Sequence, residues 1–296
     1  MLNKKITSRL VAVILTGLLF LTVIPVPAFA AYKIAFATEQ IQITSPSVNN
    51  TSYDKVMTVE GTSTQDRIWL CLRGPKGEVT VYPVEVKDGS FQKKVWLRFG
   101  PGKYTVWAGL NPNYFDGKIR FEVLNSSEED YFNLTPSGYV ESESQVVQKI
   151  VDSLITENMS ELEKAKAIHD WVIKNIAYDA EAYYNGDSTM KTATETISSK
   201  KGVCRDYSFV FASLARAAGI PTRVVYGEAW NNAQQTYEKH AWNEALVDGK
   251  WISIDTTWDA GYVKNKKFVI ASSDKYFNVD QQKFKQTHKV TSVTLY

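Results

Sequence analysis

The fold of this chain is decided by His240-Ala241-Trp242-Asn243-Glu244-Ala245-Leu246-Val247-Asp248-Gly249-Lys250-Trp251-Ile252-Ser253-Ile254-Asp255. Two strand-forming runs meet there across Asp248-Gly249, a pair that tolerates the left-handed backbone of a two-residue hairpin turn. With Val247 opposite Lys250, counting back along both strands sets Trp242 against Asp255 and His240 against Thr257. His240 and Asp255 then become diagonal neighbours on one face, roughly 7–8 Å apart at the backbone, a gap that an imidazole and a carboxylate can close. A slip of one residue would send them to opposite faces. A carboxylate so placed fixes the tautomer of the imidazole. Taken singly, His240 reads as a strand histidine and Asp255 as a surface or turn residue; their joint spacing favours the pair.

An imidazole held in this way suits a nucleophile, and Cys204 is the candidate. Lys200-Lys201-Gly202-Val203-Cys204-Arg205-Asp206-Tyr207 ends a polar stretch and opens a helix with Tyr207, Phe211, Leu214, Ala215 and Ala218 on one face. Gly219 and Pro221 stop that helix. Cys204 falls in its first turn, where unpaired N–H groups and the positive end of the helix dipole favour a thiolate. The same N–H groups suit an oxyanion. A structural cysteine normally sits on the apolar face inside a helix, whereas Cys204 stands at the extreme end of the stripe. His169 lies inside a predicted helix and His288 in a closing helix or turn that packs on the core, and neither is assigned a catalytic role.

Upstream of the cysteine the apolar period is helical, with Val147, Ile150, Val151, Leu154 and Ile155 on one face. Ser160 and Glu163 form a capping-box signature for a second helix running to about Ile176. A domain containing helices is therefore expected over 145–296. Residues 38–125 read differently, as short β-runs at Lys55–Glu60, Arg67–Leu72, Val79–Val86, Phe91–Leu97, Tyr104–Leu110 and Lys118–Val123. Turn residues such as Asp88-Gly89 and Gly100-Pro101-Gly102 separate them at the spacing of an immunoglobulin-like sandwich. A polar, acidic segment over 126–144 reads as a linker. Trp69, Trp96 and Trp107 are expected to pack in the sandwich core, with a patch for cell-wall or surface polymer as the alternative. Cys71 reads as a small apolar strand residue.

Residues 1–30 carry Lys4, Lys5 and Arg9, an apolar run from Leu10 and then Ala28-Phe29-Ala30, the pattern of a signal peptide cleaved to leave a start near Ala31. An uncleaved membrane anchor is the alternative. Cleavage implies a secreted or cell-surface protein. Of 34 basic and 32 acidic residues, three basic ones leave with that segment, so no positive field remains to drive nucleic-acid binding. The two cysteines, Cys71 and Cys204, provide no disulfide framework, and no cofactor or metal motif is found.

Four blocks together resemble the core of the transglutaminase-like superfamily: Gly202-Val203-Cys204-Arg205-Asp206-Tyr207, Ala218-Gly219-Ile220-Pro221-Thr222-Arg223, His240-Ala241-Trp242-Asn243-Glu244, and Trp251-Ile252-Ser253-Ile254-Asp255-Thr256-Thr257. The likeness spans about residues 145–285 and, with the export signal, points to a secreted bacterial member. It implies a papain-like α+β fold with Cys204, His240 and Asp255 as the catalytic triad. Tyr178 or Trp171 is the implied side-chain donor to the oxyanion. Members cross-link proteins, cleave peptides or amides, or bind without catalysis. An intact triad favours an enzyme that acts on a protein or peptide amide through a cysteine thioester, with a non-catalytic surface module or a cell-wall peptidase as alternatives.

Overall fold

A computed structural model describes residues 36–128, 132–232 and 234–294. The expected signal peptide lies outside these residues. Alternation of buried and exposed side chains builds the N-terminal region from β1 (Phe36–Ala37), β2 (Ile41–Ser45), β3 (Thr51–Tyr53), β4 (Val56–Ser63), β5 (Arg67–Arg73), β6 (Val79–Glu85), β7 (Ser90–Trp96), β8 (Gly102–Gly109) and β9 (Ile119–Asn125). They form two sheets, ordered β1-β2-β4-β7 and β3-β9-β8-β5-β6. Val59, Val95, Ile68, Leu70, Leu72, Val106 and Phe121 point inward from both sheets into one core. The six β-runs read from sequence become β4–β9, and Asp88-Gly89 makes the β6–β7 turn with both residues at positive φ.

The tryptophans depart from expectation. Ile68, Leu70 and Leu72 take the inner face of β5, so alternation turns Trp69 and Cys71 outward. Trp107 lies directly across from Cys71 on β8, with the Arg73 guanidinium 5.4 Å from its ring. Trp96 alternates with the buried Val95 and bonds Glu143 through its indole N–H at 3.0 Å. All three tryptophans are partly exposed, and the core is built from aliphatic residues and Met57 with Phe36, Tyr82, Phe91, Tyr104 and Phe121.

The C-terminal part contains α1 (Gln145–Leu154), α2 (Glu161–Asn175), β10 (Ala177–Tyr178), α3 (Ala180–Tyr184), α4 (Ala193–Ser199), β11 (Lys201–Gly202), α5 (Cys204–Ala217), β12 (Thr222–Asn231), β13 (Thr236–Val247), β14 (Lys250–Ile254), α6 (Thr256–Ala260), β15 (Gly261–Lys264), β16 (Lys267–Ile270), α7 (Gln281–Thr287) and β17 (His288–Val293). Its main sheet has the order β14-β13-β12-β17. Helix α2 starts at the expected capping box, Ser160 Oγ accepting from Glu163 N and the Glu163 carboxylate from Ser160 N. Helix α5 packs on β12 and β13 and is buried from Asp206 to Arg216. It is therefore an enclosed helix, not the one-faced helix its apolar stripe suggests. Two of its buried polar residues bond to backbone carbonyls: Ser213 bonds Phe209 O at 2.7 Å, and Arg216 bonds Thr222 O and Thr135 O at 2.9 and 2.8 Å.

Residues 132–144 are irregular but well packed. Tyr139 and Val140 are buried in the helical core. Gly138 runs so close to β6 that a Cβ there would stand 1.8 Å from Val81 O. The described residues fall within one compact unit. Among the described residues no helix is long and apolar enough to cross a membrane.

Candidate active site

Helix α5 begins at Cys204, with Val203 as its N-cap residue. The Asp206 carboxylate turns back to accept Val203 N–H at 2.9 Å, which fixes the first turn. Just upstream, β11 pairs in parallel with β10 and sets Tyr178 beside Gly202, two residues before the cysteine. Gly202 is required there, because a Cβ would lie 2.6 Å from Asp206 Cβ. Cys204 is partly exposed and carries a free thiol, as does Cys71.

The hairpin supplies the other two members. Strands β13 and β14 pair in the expected register, Val247 with Lys250 through Asn243 with Ile254, across Asp248 and Gly249 at positive φ. The ladder stops there, before the expected Trp242–Asp255 and His240–Thr257 pairings. Asp255 leaves the strand and caps α6, its Oδ1 accepting Thr257 N at 3.0 Å and Trp258 N at 3.2 Å. Its Oδ2 accepts from His240 Nε2 at 2.8 Å. The predicted contact therefore forms, with the carboxylate aimed by a helix cap where a cross-strand pair was expected.

Electrostatics reinforce this geometry. Burial alone would raise the Asp255 carboxyl, but the His240 and His288 imidazoles beside it hold it below the ordinary carboxylate range. An ionised carboxylate only accepts, so His240 carries a proton on Nε2, which leaves Nδ1 free of Asp255, and the neighbouring Cys204 acts on the imidazole electrostatically. Burial acts to lower the imidazole, and the charge and hydrogen bonds of Asp255 and Cys204 overcome it, leaving His240 raised above its usual value. Burial, followed by the neighbouring Cys204, Tyr183 and Glu238, pushes the Tyr178 phenol well up, so it remains a neutral O–H donor near the sulfur. Trp171 packs, partly buried, against the helical core.

His288 departs most from its sequence reading. It does pack on the core, stacked on Phe284 with ring centroids 3.9 Å apart, but its Nε2 also reaches Asp255 Oδ2 at 3.2 Å. Ligand atoms of His240, Asp255 and His288 lie within 4.8 Å of one another, the one such candidate cation set among the described residues. Each imidazole already uses its Nε2 proton on Asp255, so a cation would have to displace both protons. A second buried pair, His169 Nε2 with Asp259 Oδ2 at 3.0 Å, ties α2 to α6. Asp259 also accepts from Ser273 Oγ and Tyr276 N, as a structural anchor would. No motif in the sequence marks either histidine, because the partners lie far along the chain.

A cysteine at a helix N-terminus, a carboxylate-oriented histidine and a neutral tyrosine on one α+β scaffold are the parts that thiol chemistry on an acyl group needs. Residues 148–256 match the family model of the transglutaminase-like superfamily. The chain thus contains a transglutaminase-like domain, preceded by a mostly β region. Mouse kyphoscoliosis peptidase is 31% identical over 160 residues, covering 50% of this chain and 24% of that protein. The human protein of the same name is 28% identical over 150 residues, covering 48% and 23%. The chain spans about a quarter of the length of these curated relatives. Among solved structures, a protein from Cytophaga hutchinsonii provisionally described as a cysteine protease is 21% identical, covering 76% of this chain and 70% of that one with a TM-score of 0.37.

Proposed function

We propose that this chain is a secreted or cell-surface bacterial thiol enzyme that acts on protein or peptide amides. The observation that carries the reading is the His240 imidazole, bonded through Nε2 to Asp255 at 2.8 Å, with Cys204 at the start of α5 as an electrostatic neighbour. The Cys204 thiolate attacks the amide carbonyl, and the oxyanion is received by first-turn N–H groups of α5 and the Tyr178 hydroxyl. His240 delivers its proton to the departing amine as the C–N bond breaks, leaving a thioester. Water or a second amine then adds to the thioester, His240 takes its proton, and the thiolate leaves. Water yields hydrolysis and an amine yields a cross-link. The mouse and human relatives are named peptidases, which supports hydrolysis.

In this reading residues 38–125 form an immunoglobulin-like domain and 145–296 the catalytic domain. Trp69 and Trp107 on the outer sheet face offer a surface for wall or surface polymer. The test incubates the protein with casein and a fluorescent primary amine, and follows both amine incorporation and new peptide termini by mass spectrometry. One of these products should form and disappear in Cys204→Ala. Equal product from Cys204→Ala, or none from folded wild type, would overturn the proposal.

A further inference from the structure

We infer that His288 is a positioning residue of the thiol site, donating a second imidazole N–H to Asp255 so that the carboxylate keeps the orientation His240 needs. This rests on the catalytic reading of Cys204, His240 and Asp255, and His288 lies beyond the 148–256 segment that matches the family model.

Asp255 accepts from four donors: two α6 backbone N–H groups on Oδ1, and the two imidazoles on Oδ2. The α6 contacts fix one oxygen. The other must sit where His240 meets it, and His288 closes off rotation from the tail side of the site. An ionised carboxylate cannot donate, so the 3.2 Å contact requires a proton on His288 Nε2. His288 is itself immobilised. Its Nδ1 meets Thr287 Oγ1 at 2.8 Å, its ring stacks on Phe284, and Trp258 lies 4.6 Å away between centroids. Its backbone pairs with Ala229 where β17 joins β12. The titratable groups against it are Asp255 from the α6 cap, His240 from β13 and Tyr276 from the segment before α7.

The second donor has a chemical consequence. When Cys204 passes its proton to His240, the imidazolium faces Asp255 through Nε2. A carboxylate oxygen that already accepts from His288 is a weaker base toward that proton. The proton therefore stays on His240 for delivery to the departing amine.

The test uses the full chain, with Cys204 alkylation by iodoacetamide as the readout. His288→Gln places an amide N–H near the position of Nε2, while His288→Met has similar length and no donor. Gln should keep the wild-type alkylation rate to within about threefold and Met should lose about tenfold, the size of one hydrogen bond to a charged group. Equal rates in Gln and Met, with wild-type Cys204 reactive, would overturn this inference alone. An inert Cys204 in wild type would sink the thiol-site reading and this inference with it. Should the Met variant fail to fold, nitrogen-15 NMR of the wild-type imidazoles decides: a proton on His288 Nε2 is expected, and a bare Nε2 overturns the assignment.

Discussion

At Asp255 one side chain performs two tasks that are usually separate. Its Oδ1 caps α6 and its Oδ2 holds two imidazoles, so the cap that starts the helix also aims the histidine. Asp255→Asn keeps the size but puts an N–H where an acceptor is needed. We expect turnover to fall by about a thousandfold or more, by analogy with the tautomer effect in serine hydrolases. The pH dependence of stability follows from the directions of the two shifts. Asp255 is depressed, so its contribution is present above about pH 4 and is lost as pH falls toward the folded value. His240 is raised, so its contribution is complete below about pH 6.5 and is lost as pH rises through the folded value. The melting advantage of wild type over Asp255→Asn should therefore peak between about pH 4 and 6.5. An advantage that keeps growing above that window would contradict these assignments.

Among the elements, β17 carries an unexpected share of the site. It joins the sheet beside β12 and delivers His288, and it approaches closely because residue 227 has no side chain. A Cβ at Gly227 would lie 2.1 Å from Lys289 O and 2.5 Å from the Trp242 ring. Gly227→Ala should lower stability in urea by about 1–3 kcal/mol, as overpacking does. It should also slow Cys204 alkylation, since His288 moves with β17; a stable variant of full reactivity would detach the strand from the site. The hairpin was legible in sequence because a two-residue turn transmits its register to everything paired beyond it. The start of α5 was legible because polar residues, an apolar period and a Gly-Pro stop bracket it. His288 was not, since its role depends on a strand pairing across the sheet that no local pattern encodes. The outward tryptophans were missed because alternation alone does not say which face of a strand is inside.

Over the whole molecule, the segment expected to be a linker joins the two parts through two buried arginines. Arg98, just after β7, donates to Phe132 O at 2.6 Å, and Arg216, near the end of α5, donates to Thr135 O at 2.8 Å. Burial lowers both guanidinium groups, and the charge of Arg98 lowers Arg216 further. A surface ion pair of Arg67 with Glu195 also spans the parts. Arg216→Met strands the carbonyls of Thr135 and Thr222 and should cost about 1–3 kcal/mol in urea denaturation. Arg67→Ala should cost less than about 1 kcal/mol, because both members of the pair are partly open to solvent. The reverse order would mean that the surface pair, not the buried clasp, holds the parts together.

The most direct test of the thiol site is iodoacetamide labelling of the folded protein near pH 6.5, with each cysteine quantified by mass spectrometry. Cys71 serves as an internal control, because burial pushes its thiol up despite Arg73. Cys204 should label rapidly while Cys71 stays unmodified, and His240→Ala should abolish the difference. Cys204 labelling no faster than Cys71, or unchanged by His240→Ala, would contradict the assignment of Cys204 and His240 as nucleophile and base.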